Sequence, residues 1–322
     1  MLSLLSRGLK IPNKIYFYSC VPKASKMDET FMFNYIKKCI PPLDGSSHKG
    51  QAGRIGVVGG SLEYTGAPYF AGISALKVGA DLVHIFCTTP AATVIKSYSP
   101  ELIVHPLLDI SNAVSMISPW FDRLHCIVIG PGLGREPSTF QVVSELIKTI
   151  QEKKIPLVID ADGLFLITEN PELIKDFSSP VILTPNKMEY ERLCNKVNGQ
   201  AGLRHLGSKV TILRKGPVDE VFSVDTKVEW KSNTGGSGRR CGGQGDLLSG
   251  SIATFLHWAT AKTEKVESGS DKELLGASVS CYAASRLVRL CNEKAFKVKG
   301  RSMLANDMID HIHDSFEELY GQ

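Results

Sequence analysis

No run of 18 or more apolar residues occurs in the 322-residue chain, so the sequence offers no membrane-spanning helix. It also lacks an N-x-[ST] sequon. Its eight cysteines (Cys20, Cys39, Cys87, Cys126, Cys194, Cys241, Cys281, Cys291) form neither a C-x-x-C pair nor a zinc spacing. These absences argue against secretion and against a structural zinc, and they fit a reducing compartment. The net charge of +4 is not gathered into a Lys/Arg block, so no nucleic-acid partner is expected. A Walker A motif is missing, because Ser208-Lys209 follows Gly202 and Gly207 where Lys-Ser/Thr should stand. A Rossmann fingerprint is missing too: Arg135 takes the place of the last glycine after Gly130-Pro131-Gly132-Leu133-Gly134. Any phosphate chemistry must therefore use another architecture. No repeat of 20–50 residues is present.

Against 43% hydrophobic residues stand only 22% charged ones, enough apolar material for a sizeable globular core. The length permits one large α/β domain, expected over residues 40–320. Residues 1–27 differ: they carry Arg7, Lys10, Lys14, Lys23 and Lys26, several serines and no acid before Asp28. That is the composition of a mitochondrial targeting segment, and a second start at Met27 would give a cytosolic form; a plain disordered extension is the alternative.

Beyond residue 45, short β-branched apolar runs alternate with segments of helical period, the pattern of a mostly parallel sheet covered by helices on both faces. Strands are expected at 54–58, 81–87, 102–105, 124–129, 157–160, 181–184 and 210–214. Helices are expected at 68–78, 138–152, 187–195, 245–257, 274–292 and 305–319. Alternation over 219–231 reads as a late hairpin extending the sheet, turning near Asp225-Thr226. The polar stretch 263–272 reads as a surface loop.

The strongest chemical signal is Gly235-Gly236-Ser237-Gly238-Arg239-Arg240-Cys241-Gly242-Gly243-Gln244-Gly245-Asp246, running into an apolar helix. Backbone without Cβ atoms can aim several N–H groups at one point, and the helix N-terminus adds about half a positive charge there. Such a cradle binds anions, and Arg239 and Arg240 would add charge. Asp246 at its mouth makes sense as a base that takes a proton from a hydroxyl attacking a γ-phosphoryl group. The plainer reading makes Asp246 a dipole-favoured first-turn residue and the glycines a flexible loop. In Asn186-Lys187-Met188-Glu189-Tyr190-Glu191-Arg192, Asn186 and Glu189 share a helical face and could hold Mg²⁺ through waters; a simple N-cap is the alternative. Lys215-Gly216-Pro217-Val218-Asp219, at a strand end, could edge a nucleotide. With the turns Gly130–134 and Asp160-Ala161-Asp162-Gly163, these motifs all stand at carboxyl ends of strands, where open α/β sheets bind ligands. Small residues from Ala67 to Gly79 read mainly as helix-on-sheet packing, and His311 and His313 as surface residues.

The ordered set Gly59-Gly60 with Tyr64-Thr65-Gly66-Ala67-Pro68, Gly130-Pro131-Gly132-Leu133-Gly134, Asp160-Ala161-Asp162-Gly163-Leu164, Thr184-Pro185-Asn186 and Gly242-Gly243-Gln244-Gly245-Asp246 resembles the NAD(P)H-hydrate dehydratase family of the ribokinase-like superfamily, over residues 40–320. The resemblance implies ATP-dependent phosphorylation of the hydroxyl on the S-epimer of the hydrated nicotinamide ring (NADHX or NADPHX). Loss of phosphate then restores NADH or NADPH, leaving ADP. Bacterial members, often fused to an epimerase, prefer ADP; a chain with a transit-like leader and no such fusion is expected to be of the eukaryotic, ATP-using type. The resemblance implies substrate contacts at Gly132, at Asn186, Lys187, Met188, Glu189, Tyr190, Glu191 and Arg192, and at Asp246, which is also the base. It implies nucleotide contacts at Lys215, Gly216, Pro217, Val218 and Asp219, and at Gly236, Ser237, Gly238, Arg239, Arg240, Cys241, Gly242, Gly243, Gln244 and Gly245. Asn186 and Glu189 correspond to the superfamily's N-x-x-E magnesium element. Functional coupling to a separate epimerase follows, and a homo-oligomer is compatible. A kinase of the same fold acting on a vitamin precursor, its phosphate retained, is the rival reading.

Overall fold

The computed structural model describes residues 27–45, 48–262 and 271–321. The targeting segment expected over 1–27 lies outside these except for Met27, and so does most of the loop expected over 263–272. Nine strands form one sheet: β1 (Arg54–Val58), β2 (Leu82–Cys87), β3 (Leu102–Pro106), β4 (Cys126–Ile129), β5 (Leu157–Ile159), β6 (Val181–Leu183), β7 (Val210–Arg214), β8 (Asp219–Ser223) and β9 (Trp230–Ser232). Their order is β3-β2-β1-β4-β5-β6-β7-β8-β9, parallel through β7 and antiparallel for the last two pairings. The helices are α1 (Glu29–Cys39), α2 (Gly66–Val78), α3 (Thr89–Tyr98), α4 (Ala113–Ile117), α5 (Pro137–Glu152), α6 (Ala161–Glu169), α7 (Lys187–Lys196), α8 (Gln244–Ala261), α9 (Lys272–Lys299), α10 (Ala305–Ile309) and α11 (Ile312–Tyr320).

The parallel strands read as continuous apolar runs because both faces are covered. Alternate residues serve different cores. Val57, Ile85, Val128, Val158 and Ile182 pack with α2, α8 and α9, whereas Val58, Phe86, Ile127, Ile129 and Leu183 pack with α5, α6 and α7. The β8–β9 pair is the expected hairpin, its link carrying a short 3-10 turn at Thr226–Val228.

Several helices depart from expectation. The Asp160–Gly163 motif reads as a turn by composition, yet Ala161–Gly163 forms the first turn of α6; Gly163 is small because a Cβ there would lie 2.7 Å from the Ile129 carbonyl oxygen. The expected helix 305–319 is two helices, separated where the His311 N–H bonds the Met308 carbonyl and starts a new turn. α1 and α3 were not anticipated. α3 is rich in threonine, which weakens its helical signature, but Pro90 starts it.

α2 and α8 cross at close range, with Thr254 Oγ1 donating to the Ala75 carbonyl at 3.2 Å. Gly250 of α8 lies against the Ala71 carbonyl, and a Cβ there would collide with that backbone oxygen. Helix propensity favours alanine over glycine by about 1 kcal/mol, but forcing two packed helices apart costs about 1–3 kcal/mol. Gly250→Ala is therefore expected to lower the urea midpoint; a midpoint at or above that of the parent would show that the helices separate freely.

Candidate active site

The strand order reverses between β1 and β4, and the loops leaving these two strands part at the sheet's carboxyl edge, the place where open α/β sheets leave a crevice. The Gly60 N–H donates to the Gly132 carbonyl (3.1 Å) and the Gly130 N–H to the Val58 carbonyl (3.0 Å), tying the two glycine turns together. Gly130, at φ 120°, lies so close to the Asp160 carbonyl that a Cβ would overlap it. This close approach brings the β4 and β5 ends side by side. The next residue but one beyond β5, Ala161, holds a left-handed φ of 47°, a conformation that costs a non-glycine residue roughly 1–2 kcal/mol. It joins buried Asp160 to α6.

Asp160 Oδ1 accepts from the Lys215 ammonium at 2.6 Å and from Thr184 Oγ1 at 2.8 Å. Glu189 and Asp246 face the same ammonium. Burial pulls the Lys215 pKa down, but the charges of Asp160, Glu189 and Asp246 outweigh it and hold the ammonium above its ordinary value. Burial pushes the Asp246 carboxyl up to about 8; the Asp160 charge adds to the rise, and Lys215 opposes it. Glu189 is raised as well, chiefly by burial. Gly245 is part of this arrangement, since a Cβ there would stand 3.0 Å from Lys215 Nζ.

Asp246 lies in the first turn of α8, whose N-cap Gly243 adopts a left-handed φ of 91°. Ahead of it the glycine-rich loop walls a crevice of about 440 Å³, shared with Asn186, Lys215, Gly216 and Asp219. The loop is braced from within: Gln244 Nε2 donates to the Arg239 carbonyl (3.2 Å) and Arg240 to the Ser237 carbonyl (3.0 Å). Arg240 lines the crevice, whereas the Arg239 guanidinium turns to the Arg240 carbonyl and its Nε is buried without a hydrogen-bond partner.

The support for this loop was not anticipated from the sequence. α9 presents Ser285, Arg289 and Asn292 on one face. Arg289 donates to Asp219 (2.9 Å), to the Gly216 and Pro217 carbonyls (2.8 and 2.9 Å) and to the Gly235 carbonyl (3.1 Å). Ser285 donates to Asp219 at 2.6 Å, and Asn292 Oδ1 accepts from the Ser237 N–H and hydroxyl, both at 2.7 Å. One helix face thus pins both stretches expected to hold a nucleotide. The available signal was the polar spacing i, i+4, i+7 of Ser285, Arg289 and Asn292, which puts the three on one helical face.

On α7, Asn186 is the N-cap: its Oδ1 accepts from the Glu189 N–H (3.1 Å), and Glu189 Oε2 accepts from the Asn186 N–H (2.8 Å). The capping alternative therefore describes how these side chains are engaged, leaving Glu189 Oε1 uncommitted to the cap. Among the described residues no group of three or more His, Cys, Asp or Glu side chains is placed to hold a metal ion. The rest of the expected substrate stretch divides by helical face. Lys187 and Met188 are exposed, Glu191 lies 4.0 Å from Lys187, and Arg192 reaches the Phe165 ring. Tyr190 turns into the core against Phe222, because four residues on from the cap it lies under the helix. Gly132 packs against Tyr64 and Ala67 at the β4 turn, while Val218 and Gly238 lie on the crevice's outer side, Val218 being 38% exposed.

A sequence model of the family described as NAD(P)H-hydrate dehydratase matches residues 55–314 of this chain. The chain belongs to that family. A protein of Aedes aegypti named ATP-dependent (S)-NAD(P)H-hydrate dehydratase is 55% identical over 286 residues, spanning 88% of this chain and 83% of its own. A Mus musculus protein of the same name is 46% identical over 300 residues, 90% of this chain and 85% of its own. Among solved structures, a ribokinase-like superfamily protein of Enterococcus faecalis superposes with a TM-score of 0.72 at 20% identity, covering 97% of this chain and all of its own. The ADP/ATP-dependent NAD(P)H-hydrate dehydratase of Bacillus subtilis, crystallised with ATP/Mg²⁺, gives 0.63 at 21% identity over 89% of this chain and 97% of its own. The family shares the ribokinase-like fold.

Arg289→Lys keeps a cation beside Asp219 but cannot reach both loops. It is expected to weaken binding of a nucleoside triphosphate about tenfold or more, from the loss of two or three hydrogen bonds, with the fold retained. Calorimetric titration checks this; affinity equal to that of the parent would show that the loops hold themselves.

Proposed function

We propose that the protein dehydrates the S-epimer of NADHX and NADPHX, using ATP and releasing ADP and phosphate. Membership in the family, together with relatives about half identical over nearly the whole chain and named for this reaction, supports the reading. Its physical core is the placement of Asp246 between a phosphate cradle and a cluster of acids.

The chemistry follows from the charges. ATP lays its phosphates against the glycine loop, whose N–H groups, with the α8 N-terminus and Arg240, stabilise charge on the transferring γ-phosphoryl group. Asp246, once ionised, takes the proton of the ring hydroxyl as its oxygen attacks phosphorus. The hydroxyl becomes a phosphate ester, a far better leaving group. Its C–O bond breaks, a proton leaves the neighbouring ring carbon, and the dihydronicotinamide double bond is restored. Lys215, whose pKa is raised, stays protonated and engages Asp160 through its ammonium, so it does not compete for the hydroxyl proton. A rival kinase would use the same cradle and the same aspartate but keep the phosphate on its product.

Mg²⁺ fits the residues present. Asp160, Glu189 and Asp246 surround a single ammonium and leave an excess of negative charge, and Glu189 has an oxygen outside the cap. Mg²⁺ takes few protein ligands and completes its shell with waters and substrate phosphates. Glu189 would hold it, with Asn186 reaching through water; bound there, it would neutralise phosphate charge and favour ionised carboxylates. The basic, acid-free leader supports import into mitochondria, with a cytosolic form from Met27.

Purified protein with Mg²⁺ and ATP is expected to restore dihydronicotinamide absorbance from chemically prepared NADHX, with one phosphate released per ring restored. Asp246→Asn should lose at least a hundredfold in kcat, the scale of general-base catalysis. ATP consumption that leaves phosphate on the product would favour the kinase.

A further inference from the structure

Arg135, the residue that spoils the Rossmann fingerprint, has no part in the chemistry above. It follows the β4 turn directly, and its guanidinium lies 4.3 Å from the centre of the Phe165 ring on α6. Arg192, on α7, lies 5.5 Å from the same ring. The three residues follow the carboxyl ends of neighbouring strands β4, β5 and β6, and α6 and α7 cover one face of the sheet while α8, into which the glycine cradle runs, covers the other. Arg135 Nε bonds Asp162 at 3.0 Å, and Asp162 is itself held by the Gly134 N–H at 3.1 Å, so the guanidinium is oriented while its two terminal nitrogens stay open. The Arg135 side chain is 55% exposed, and Arg192 has no hydrogen-bond acceptor among the described residues. Asp162 pairs with Arg135 and Glu189 lies within reach of the Arg192 charge, so what the pair offers an anion is its uncommitted donors.

Aligned guanidinium groups match a phosphate in shape and charge, and an aromatic face keeps them in place without quenching their donors. ATP in the cradle would repel a second set of phosphates, driving the phosphates of a dinucleotide to the opposite side. The aromatic cleft of about 500 Å³ lined by Tyr69, Phe70, Tyr98 and Leu304 borders the cradle at Cys241 and Gly242 and has no Lys or Arg in its lining, so it offers a second phosphate no cation. Arg192 stands six residues beyond Asn186, about 9 Å along α7 at 1.5 Å per residue, and its charge is felt at Glu189 on the same helix.

We propose that Arg135 and Arg192, stacked on Phe165, clamp a phosphate group of the dinucleotide and so select dinucleotides over phosphate-free hydrates. The clamp rests on the dehydratase reading and names how its substrate is held. Kinetics on NADHX, NADPHX and the hydrate of dihydronicotinamide riboside, which carries no phosphate, separate the two. In Arg135→Gln, KM for the dinucleotide is expected to rise about tenfold to a hundredfold, the scale of charge-assisted hydrogen bonds, with little change in kcat. The preference over the riboside should shrink by the same factor. Phe165→Leu, which keeps both charges but removes their platform, should give a smaller change of the same kind. Equal losses on NADHX and NADPHX assign the clamp to the diphosphate, and a loss confined to NADPHX assigns it to the 2′-phosphate. A dinucleotide KM within twofold of the parent, or an equal loss on the riboside, overturns the clamp while leaving the dehydratase reading intact. Failure of the unaltered protein to turn over any of the three takes both down.

Discussion

Everything at the sheet's carboxyl edge is arranged around one largely buried ammonium group. Lys215 is the cation that Asp160, Glu189 and Asp246 share, and even with the Arg192 charge felt at Glu189, three ionised carboxylates would outnumber the cations. In a partly desolvated crevice that excess costs more than it would in water, so protons stay on longer and the Asp246 carboxyl rises far above its usual range. The nearness of Lys215 to Asp160 in turn requires Gly245, and the nearness of Asp160 to β4 requires Gly130. Removing the ammonium would strand a buried carboxylate, a change that typically costs about 3–5 kcal/mol. The site is thus held together by charges that also oppose one another.

A second constraint is mechanical. A loop with six glycines from Gly235 to Gly245 gains its freedom to approach phosphate at the expense of order, because each glycine loses the most conformational entropy when it is held. Arg289 and Asn292 supply the order from outside the loop, using carbonyls and the Ser237 hydroxyl as handles. The acids and the cradle therefore rest on different supports: the sheet ends carry the first, and α9 carries the second. On α6, Phe165 plays a comparable part for two arginines.

Much of this was legible in the sequence, for reasons that particular residues make clear. Strands buried on both faces write themselves as unbroken β-branched runs, so β1 and β7 are found at their expected bounds. Glycines forced by close approach, such as Gly130 and Gly245, mark the turns around the crevice. What stayed hidden depends on partners distant in sequence. Arg289 reads as an ordinary helix residue until Asp219, 70 positions earlier, is seen beside it. Tyr190 belongs to a motif that points to the substrate, yet helical geometry turns it into the core. The pairing of Asn186 with Glu189 was visible as a spacing, and the spacing alone favoured the cap that the structure shows.

The central claim is that Asp246 serves as the base although its surroundings favour the protonated form. The dependence of kcat/KM on pH reports ionisations of the free enzyme, and a base must lose its proton before it can act. Activity is therefore expected to climb with pH along an acid limb whose midpoint lies well above the ordinary carboxylate range, toward the value of about 8 that the Asp246 carboxyl has without a bound cation. An acid limb centred in the ordinary carboxylate range, around 4, would contradict the claim, because it would mean that the crowded acids do not hold the proton on Asp246.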